Sequence, residues 1–201
     1  MNKKIKKILL KKNKSKIVSL TAYSKSITKI LDRHVDIVLV GDSMANVLYG
    51  HKNTHKINLE NIIQHTLSVK MGIKKSLLVV DMPKGSYSNF KEAFKNAKNV
   101  IKKTRCDAIK LENYQSNYKI IEALVKKKIP VMGHIGFTPQ FKNKFKIEGR
   151  TKVEINRLLN EAKSIEKAGA FSIILECLSP KSAKLITSKL NIPTIGIGSS
   201  S

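Results

Sequence analysis

Several short apolar runs of this chain end in, or are followed by, residues able to bind a metal ion or move a proton. These residues are Asp42, Ser43, Asp81, Lys110, Glu112, His134 and Glu176. If the runs were only core strands, apolar side chains would be expected at these positions. In a barrel of alternating strands and helices, the chemistry lies at the carboxyl ends of the parallel strands. The pattern therefore indicates an enzyme.

Three of these residues are carboxylates that end different predicted strands, namely Asp42, Asp81 and Glu112. Oxygen ligands without cysteine suit a hard divalent ion such as Mg²⁺. Such an ion can hold a 2-oxo acid by its carboxylate and carbonyl oxygens and act as a Lewis acid on an enolate. We therefore predict a metal site formed by the three carboxylates.

The other candidates complement such a site. Lys110 lies two residues before Glu112, so both side chains are on one face of a strand, and the lysine can neutralise a substrate carboxylate. Glu176 is a candidate general base for proton abstraction beside a carbonyl, and His134 is a candidate hydrogen-bond partner of the ligand. Each residue taken alone has a structural explanation, such as a turn or a helix cap. The prediction depends on their joint occurrence at the same end of successive strands.

Helical stretches separate the apolar runs, and the runs are continuous, as is typical of parallel strands buried on both faces. We predict strands at 17–21, 37–40, 77–80, 108–111, 130–133, 172–175 and 194–197. Asn58 and Thr151 are predicted N-caps, the latter in a capping box with Glu154. The fold class predicted is α/β, a (β/α)8 barrel of which about seven repeats are found. We expect one domain over 1–201, with a basic lead-in over 1–14.

Composition restricts the class of protein. The 201 residues are 41% hydrophobic and 26% charged, as in globular domains, and no apolar run is long enough to span a membrane. Cys106 and Cys177 form no CxxC pair, so we expect reduced thiols in or near the core. No secretory signal peptide is recognisable, and we expect a cytoplasmic protein.

The net charge of +25 raises the alternative of a nucleic-acid binder. The excess is almost entirely lysine, spread along most of the chain. Proteins that read bases and phosphates tend to use arginine forks and aromatic platforms, and aromatic residues make up only 5% of this chain. We favour a different origin of the lysines, namely a genome rich in AT, in which lysine codons are frequent. Steeply salt-dependent DNA binding would support the alternative.

Six motifs follow one another in a recognisable order. They are VGDS at 40–43, DMPKGSY at 81–87, IKLE at 109–112, VMGHIGFTPQ at 131–140, ILEC at 174–177 and IPTIGIG at 192–198. With these motifs the chain resembles the ketopantoate hydroxymethyltransferase family, also called 3-methyl-2-oxobutanoate hydroxymethyltransferase. TAY at 21–23 also fits. The resemblance covers nearly the whole chain from about residue 15 and implies a barrel of the phosphoenolpyruvate/pyruvate superfamily.

The resemblance implies transfer of a hydroxymethyl group from 5,10-methylenetetrahydrofolate to 3-methyl-2-oxobutanoate, giving 2-dehydropantoate for pantothenate and coenzyme A. The keto acid bound to Mg²⁺ is implied to be enolised and to attack the one-carbon unit. A homo-oligomer, commonly a decamer, is the implied assembly. The implied metal ligands are Asp42, Asp81 and Glu112, and the implied base is Glu176. The residues implied to bind the substrate are Asp42, Ser43, Asp81, Lys110 and His134.

The chain also departs from the family pattern. Lys84 stands where the family commonly has Phe, and Asn113 and Tyr114 stand where a Gly pair is usual. The family continues past GIG into an eighth strand, so the resemblance implies that the last β/α unit is lacking, and we expect reduced stability. Two alternatives stay open: a degenerate, non-catalytic remnant, and another Mg²⁺-dependent 2-oxo acid lyase or aldolase that needs no folate. The intact acids count against the remnant.

Overall fold

Seven parallel strands alternate with helices in a computed structural model that describes residues 2–199. The strands are β1 (Ser19–Thr21), β2 (Ile37–Val40), β3 (Leu77–Asp81), β4 (Ala108–Glu112), β5 (Val131–Gly136), β6 (Ser172–Glu176) and β7 (Thr194–Ile197). They follow one another in the sheet in chain order. A parallel strand order without exchange, with a helix after most strands, is the arrangement of a β/α barrel.

Eight α-helices are described within residues 2–199, together with a short 3-10 turn at Thr54–Lys56. The helices are α1 (Lys3–Leu10), α2 (Lys25–Leu31), α3 (Met44–Val47), α4 (Leu59–Lys70), α5 (Phe90–Thr104), α6 (Tyr118–Lys126), α7 (Lys152–Lys167) and α8 (Pro180–Lys189). No helix in this part of the chain is both long enough and apolar enough to cross a membrane.

The chain divides into two compact units, Met1–Lys110 and Leu111–Ser201. The first unit contains β1, β2, β3 and the beginning of β4, and the second contains the end of β4 and the strands β5 to β7. The single domain over 1–201 expected from the sequence stays a prediction.

The predicted caps are present at the starts of α4 and α7. The Asn58 side chain accepts a hydrogen bond from the backbone N–H of Asn61 at 2.9 Å. The Thr151 hydroxyl accepts from the Glu154 N–H at 3.2 Å, and the Glu154 carboxylate accepts in turn from the Thr151 N–H. The predicted capping box is therefore confirmed, and it closes the start of α7 where backbone N–H groups lack helical partners.

Strand burial differs from the expectation at both ends of the strand order. Every residue of β3, β4 and β5 is buried, including the polar ones. The residues of β1 and β7 are half-buried or exposed, so the prediction of strands buried on both faces is wrong for these two. The reason is topological, because each has a single neighbouring strand in the described sheet. Both cysteines are free and buried, as predicted.

Asp32 connects the end of α2 to the segment before β3. Its carboxylate accepts hydrogen bonds from the backbone N–H groups of Lys74, Lys75 and Ser76, at 2.9 to 3.0 Å. Burial alone raises the pKa of this carboxyl, but the hydrogen bonds from Ser76, Lys75 and Lys74 outweigh burial and hold the pKa below its usual value. Asp32 therefore stabilises the fold as an anion.

We expect Asp32→Ala to lower the free energy of unfolding by about 2 kcal/mol, because three backbone donors lose a charged acceptor. A group whose pKa is lowered by folding contributes stability above its unfolded pKa and loses it as the pH falls through the folded value. The difference between wild type and variant in urea unfolding should therefore be full at pH 6 and shrink below about pH 4. A difference that stays constant across this range would contradict the role of the charge.

Candidate active site

The seven residues predicted from the sequence fall into two groups, one in each compact unit. The first unit holds Asp42, Ser43, Asp81 and Lys110, and the second holds Glu112, His134 and Glu176. All of them lie at or near the carboxyl ends of strands β2 to β6. One detail of the prediction is wrong, since His134 lies inside β5 rather than after it.

A buried ion pair is the centre of the group in the first unit. The parallel register of β3 and β4 pairs Asp81 with Lys110, and the lysine Nζ donates to Asp81 Oδ2 at 2.6 Å. Asp81 is 2% exposed, Lys110 4% and Asp42 3%. Burial raises the pKa of Asp81, the Lys110 charge opposes that rise, and the Asp42 charge adds to it. Asp81 is therefore paired with Lys110 and lies close enough to Asp42 to feel its charge, and all three side chains are almost fully buried.

The same group fits a divalent cation. Oδ1 of Asp81 is buried and has no hydrogen-bond partner among the described residues, which is unusual for a buried acceptor. The charges of Asp42, Asp81 and Lys110 add to a net negative charge. Within residues 2–199, no three His, Cys, Asp or Glu side chains are arranged to hold a metal ion by themselves. Mg²⁺ commonly takes only one or two carboxylates and completes its shell with water and substrate oxygens, so Asp42 and Asp81 suit it.

Ser43 does not act as a local cap. It precedes α3 but makes no side-chain hydrogen bond to the helix start. Its Oγ lies 2.8 Å from the hydroxyl oxygen of Tyr23, which follows β1. The Ser43 hydroxyl therefore contacts another part of the fold and not the start of α3.

An imidazole between two carboxylates is the centre of the group in the second unit. His134 Nδ1 lies 3.7 Å from Glu112 Oε1, and Nε2 lies 3.2 Å from Glu176 Oε2. The other oxygen of Glu112 accepts from the Gln140 backbone N–H at 3.1 Å. The side chains of His134 and Glu112 are 1% and 0% exposed, whereas that of Glu176 is 22% exposed. Glu176 is therefore the member of this group that can reach a ligand.

The backbone beside Glu176 allows only glycine at one position. Gly136 ends β5 with φ at +96°, and the next residue, Phe137, donates its N–H to the Glu176 carbonyl oxygen at 2.9 Å. A Cβ on Gly136 would overlap that carbonyl oxygen and also contact Leu178. Gly136 thus permits the close approach of β5 to the end of β6 that places Glu176.

We expect Gly136→Ala to destabilise the protein by about 2–3 kcal/mol through backbone strain and overlap with Glu176, and to lower kcat. Gly50→Ala is the matched control. Gly50 also has positive φ, at +64°, but nothing lies within 4 Å of its hypothetical Cβ. Thermal unfolding and kcat of both variants provide the test. Equal losses in the two variants would mean that the approach to Glu176 has no special importance.

A cavity of about 480 Å³ opens beside Gly136 in the second unit. The ring of Tyr114 stacks on Phe141 at one wall, with centroids 4.6 Å apart and planes 4° apart. Lys142 and Arg157 also line the cavity, and both pair with the carboxylate of Glu148. Residues from two loops, two helices and the last position of β5 form this cavity, so the strand-end pattern did not reveal it.

Sequence reasoning also missed Tyr23 and His65. His65 Nδ1 lies 2.8 Å from the Tyr23 carbonyl oxygen, and the Tyr23 hydroxyl contacts Ser43. A usable signal existed, because Tyr23 follows a strand as the other site residues do. The strand-end pattern did not predict Tyr23 because carboxylate, lysine and imidazole groups defined most of that pattern.

Comparison with known proteins identifies the family of this chain. The family model described as ketopantoate hydroxymethyltransferase matches residues 2–201. The chain belongs to the ketopantoate hydroxymethyltransferase family. This confirms the resemblance that the motifs indicated.

Curated members of the ketopantoate hydroxymethyltransferase family are similar over most of their length. The 3-methyl-2-oxobutanoate hydroxymethyltransferase of Pelagibacter ubique (strain HTCC1062) is 54% identical over 200 residues, which are 100% of this chain and 78% of the relative. The enzyme of the same name from Clostridium botulinum (strain Alaska E43 / Type E3) is 48% identical over 193 residues, 93% of this chain and 70% of the relative. The chain is thus shorter than these relatives.

Solved structures establish the fold. The phosphoenolpyruvate phosphomutase of Streptomyces platensis subsp. rosaceus superposes with a TM-score of 0.72 at 11% identity, over 96% of this chain and 71% of that one. A phosphonopyruvate hydrolase in complex with oxalate and Mg²⁺ superposes with a TM-score of 0.68 at 11% identity, over 96% of this chain and 80% of that one. A third neighbour is named as a member of the PEP mutase/isocitrate lyase superfamily. These superpositions confirm the predicted β/α barrel fold, with seven strands in the described residues.

Proposed function

We propose that this chain transfers a hydroxymethyl group from 5,10-methylenetetrahydrofolate to 3-methyl-2-oxobutanoate and forms 2-dehydropantoate, a step of pantothenate synthesis. The observation that carries the proposal is the buried His134 between Glu112 and the partly exposed Glu176. Such a cluster at strand ends suits proton abstraction from a bound ligand. The names of relatives up to 54% identical support the choice of substrate.

Glu176 is the general base of the proposed reaction. The proton to be removed is on C3 of the keto acid, next to the carbonyl carbon. Its removal leaves an electron pair that attacks the one-carbon unit supplied by the folate, and a new carbon–carbon bond forms. Both bonds from the methylene carbon to the folate nitrogens break, and a water molecule supplies the hydroxyl oxygen. The two nitrogens take up the C3 proton and one proton of that water, and tetrahydrofolate leaves. His134 lies 3.2 Å from the Glu176 carboxylate and holds it in one orientation, which is the condition for efficient general-base catalysis.

Asp42 and Asp81 are the proposed ligands of Mg²⁺, supported by their burial and by the unpaired Oδ1 of Asp81. Glu112 is proposed as the third ligand because the pattern of carboxylates at strand ends predicts it. When bound, the ion supplies a Lewis acid that stabilises negative charge on the keto oxygen. Lys110 is the proposed cation for the substrate carboxylate. Asp42, Ser43, Asp81 and His134 complete the proposed set of substrate-binding residues.

The remaining proposals follow from family membership. Methylenetetrahydrofolate is the proposed one-carbon donor, and the cavity beside Gly136 provides room for a second ligand near Glu176. We further propose a cytoplasmic homo-oligomer in which residues 1–201 form a single barrel domain. Size-exclusion chromatography with light scattering tests the assembly.

Two assays on the purified chain test the proposed function. The first follows exchange of the C3 proton of 3-methyl-2-oxobutanoate in D2O by NMR, with and without Mg²⁺. The second follows formation of 2-dehydropantoate after addition of methylenetetrahydrofolate. Exchange and transfer that both depend on Mg²⁺ are the expected result. Exchange without folate-dependent transfer would favour a lyase or aldolase, and a folded sample without either activity would favour a non-catalytic remnant.

A further inference from the structure

The hydroxyl of Ser43 is held by a residue from another strand. Tyr23 follows β1 and Ser43 follows β2, and their hydroxyl oxygens are 2.8 Å apart. Tyr23 is the only side-chain hydrogen-bond partner of Ser43 within residues 2–199. A Cβ at Gly41 would lie 2.9 Å from Ser43 Oγ, so the glycine leaves the space that this orientation of Ser43 needs.

Tyr23 is itself fixed from α4. Nδ1 of His65 lies 2.8 Å from the Tyr23 carbonyl oxygen, and Nε2 lies 2.8 Å from the Tyr49 hydroxyl. A carbonyl oxygen only accepts hydrogen bonds, so Nδ1 carries a proton, and in the neutral imidazole Nε2 accepts from Tyr49. The Tyr23 and His65 rings also meet edge to face, with centroids 6.3 Å apart. Both the main chain and the ring of Tyr23 are therefore held in place.

We propose that Tyr23 is a positioning residue that directs the Ser43 hydroxyl toward an oxygen of the bound 2-oxo acid. A hydroxyl has one proton and two acceptor sites. Phenols donate hydrogen bonds more strongly than aliphatic alcohols, so Tyr23 donates to Ser43, and the Ser43 proton remains available for an anionic ligand. A chain of such bonds also strengthens each of its members.

This inference rests on the proposed function, because it takes Ser43 as a ligand of the keto acid. The inference adds Tyr23, an uncharged residue, to the proposed site. It also states the direction in which the Ser43 hydroxyl donates its hydrogen bond. Tyr23→Phe removes one oxygen atom and leaves the ring, so the inference assigns a measurable effect to that single atom. His65 and its contact with the Tyr23 carbonyl are unchanged by that substitution.

The test measures the Kd of 3-methyl-2-oxobutanoate in Mg²⁺ buffer by titration calorimetry, which needs no turnover. Its variants are Tyr23→Phe, Ser43→Ala and the double variant. We expect each single variant to raise Kd by about fivefold, the value of one hydrogen bond, and the double variant to bind no worse than Ser43→Ala. KM should follow Kd, kcat should change less than twofold, and the melting temperature of Tyr23→Phe should be that of the wild type.

Ser188→Ala is the control, since it removes a surface hydroxyl that donates to the Leu185 carbonyl oxygen within α8 and has no part in the hydrogen bonds of Tyr23 and Ser43. Its Kd should stay within twofold of the wild type. A normal Kd in Tyr23→Phe, or fully multiplicative effects in the double variant, would overturn the inference while leaving Ser43 as a ligand. A normal Kd in Ser43→Ala, or no binding of the keto acid by the wild type, would remove the proposed role of Ser43 and the inference with it.

Discussion

Glu176→Gln is expected to lower kcat for the hydroxymethyl transfer by about 10²–10⁴-fold, the usual contribution of a positioned acid or base. Glutamine keeps the size of the side chain but cannot take the proton from C3. Because the Glu176 side chain is 22% exposed, the neutral amide is tolerated without large loss of stability. The exchange rate of the C3 proton in D2O should fall by the same factor as kcat, while the Kd of the keto acid changes little.

Glu122→Gln is the control for this substitution. Glu122 lies on α6 and pairs with Lys126 one helical turn away at the surface, so its loss should leave kcat within twofold. Retained proton exchange in Glu176→Gln would mean that another group is the base. His134, with Nε2 beside Glu176, would be the next residue to replace.

Lys110→Met is expected to lower the free energy of unfolding by about 3–5 kcal/mol, because it leaves the buried Asp81 without its cation. The pair is 2.6 Å apart, and both side chains are almost fully buried. Urea unfolding at pH 7 in the presence of EDTA measures the loss. The double variant Lys110→Met with Asp81→Asn should recover much of it, since neither buried charge then remains.

Lys126→Met provides the comparison for Lys110→Met. Lys126 forms an exposed pair with Glu122 at the same distance, 2.6 Å, and exposed helix pairs contribute only about 0.5 kcal/mol. A Lys110→Met variant as stable as Lys126→Met would show that burial of the Asp81 carboxylate is not compensated by the lysine. If the double variant lowers the free energy of unfolding by the sum of the two single effects, the two residues are not coupled.

The strands were predictable because their apolar runs are continuous. β2 and β7 have the predicted bounds, and β3, β4 and β6 extend the prediction by one residue each, to Asp81, Glu112 and Glu176. β5 was predicted at 130–133 but is Val131–Gly136, because a histidine after a glycine is not typical of a strand centre. The α3 helix and the 3-10 turn after β2 were missed because segments of four and three residues carry too little periodicity.

The site was predictable as far as it consists of ionisable residues at strand ends. The pairing of Asp81 with Lys110 follows from the register of two adjacent parallel strands. The contacts of Tyr23 with Ser43 and His65 join residues 20 and 42 positions apart, and no local pattern encodes them. The exposure of β1 and β7 likewise depends on neighbours in the sheet and not on their own residues.

Asp81 and Lys110 belong to the strands themselves and not to the loops that follow them. The hydrogen-bonded register that pairs β3 with β4 therefore also sets the distance between the two charged groups. A slip of one residue would turn Lys110 to the opposite face and separate the pair. Assembly of this part of the site and correct pairing of the strands are thus one event during folding. Substitutions elsewhere in these strands should therefore change the fraction of correctly folded, active molecules. They should not change the kcat of each active molecule.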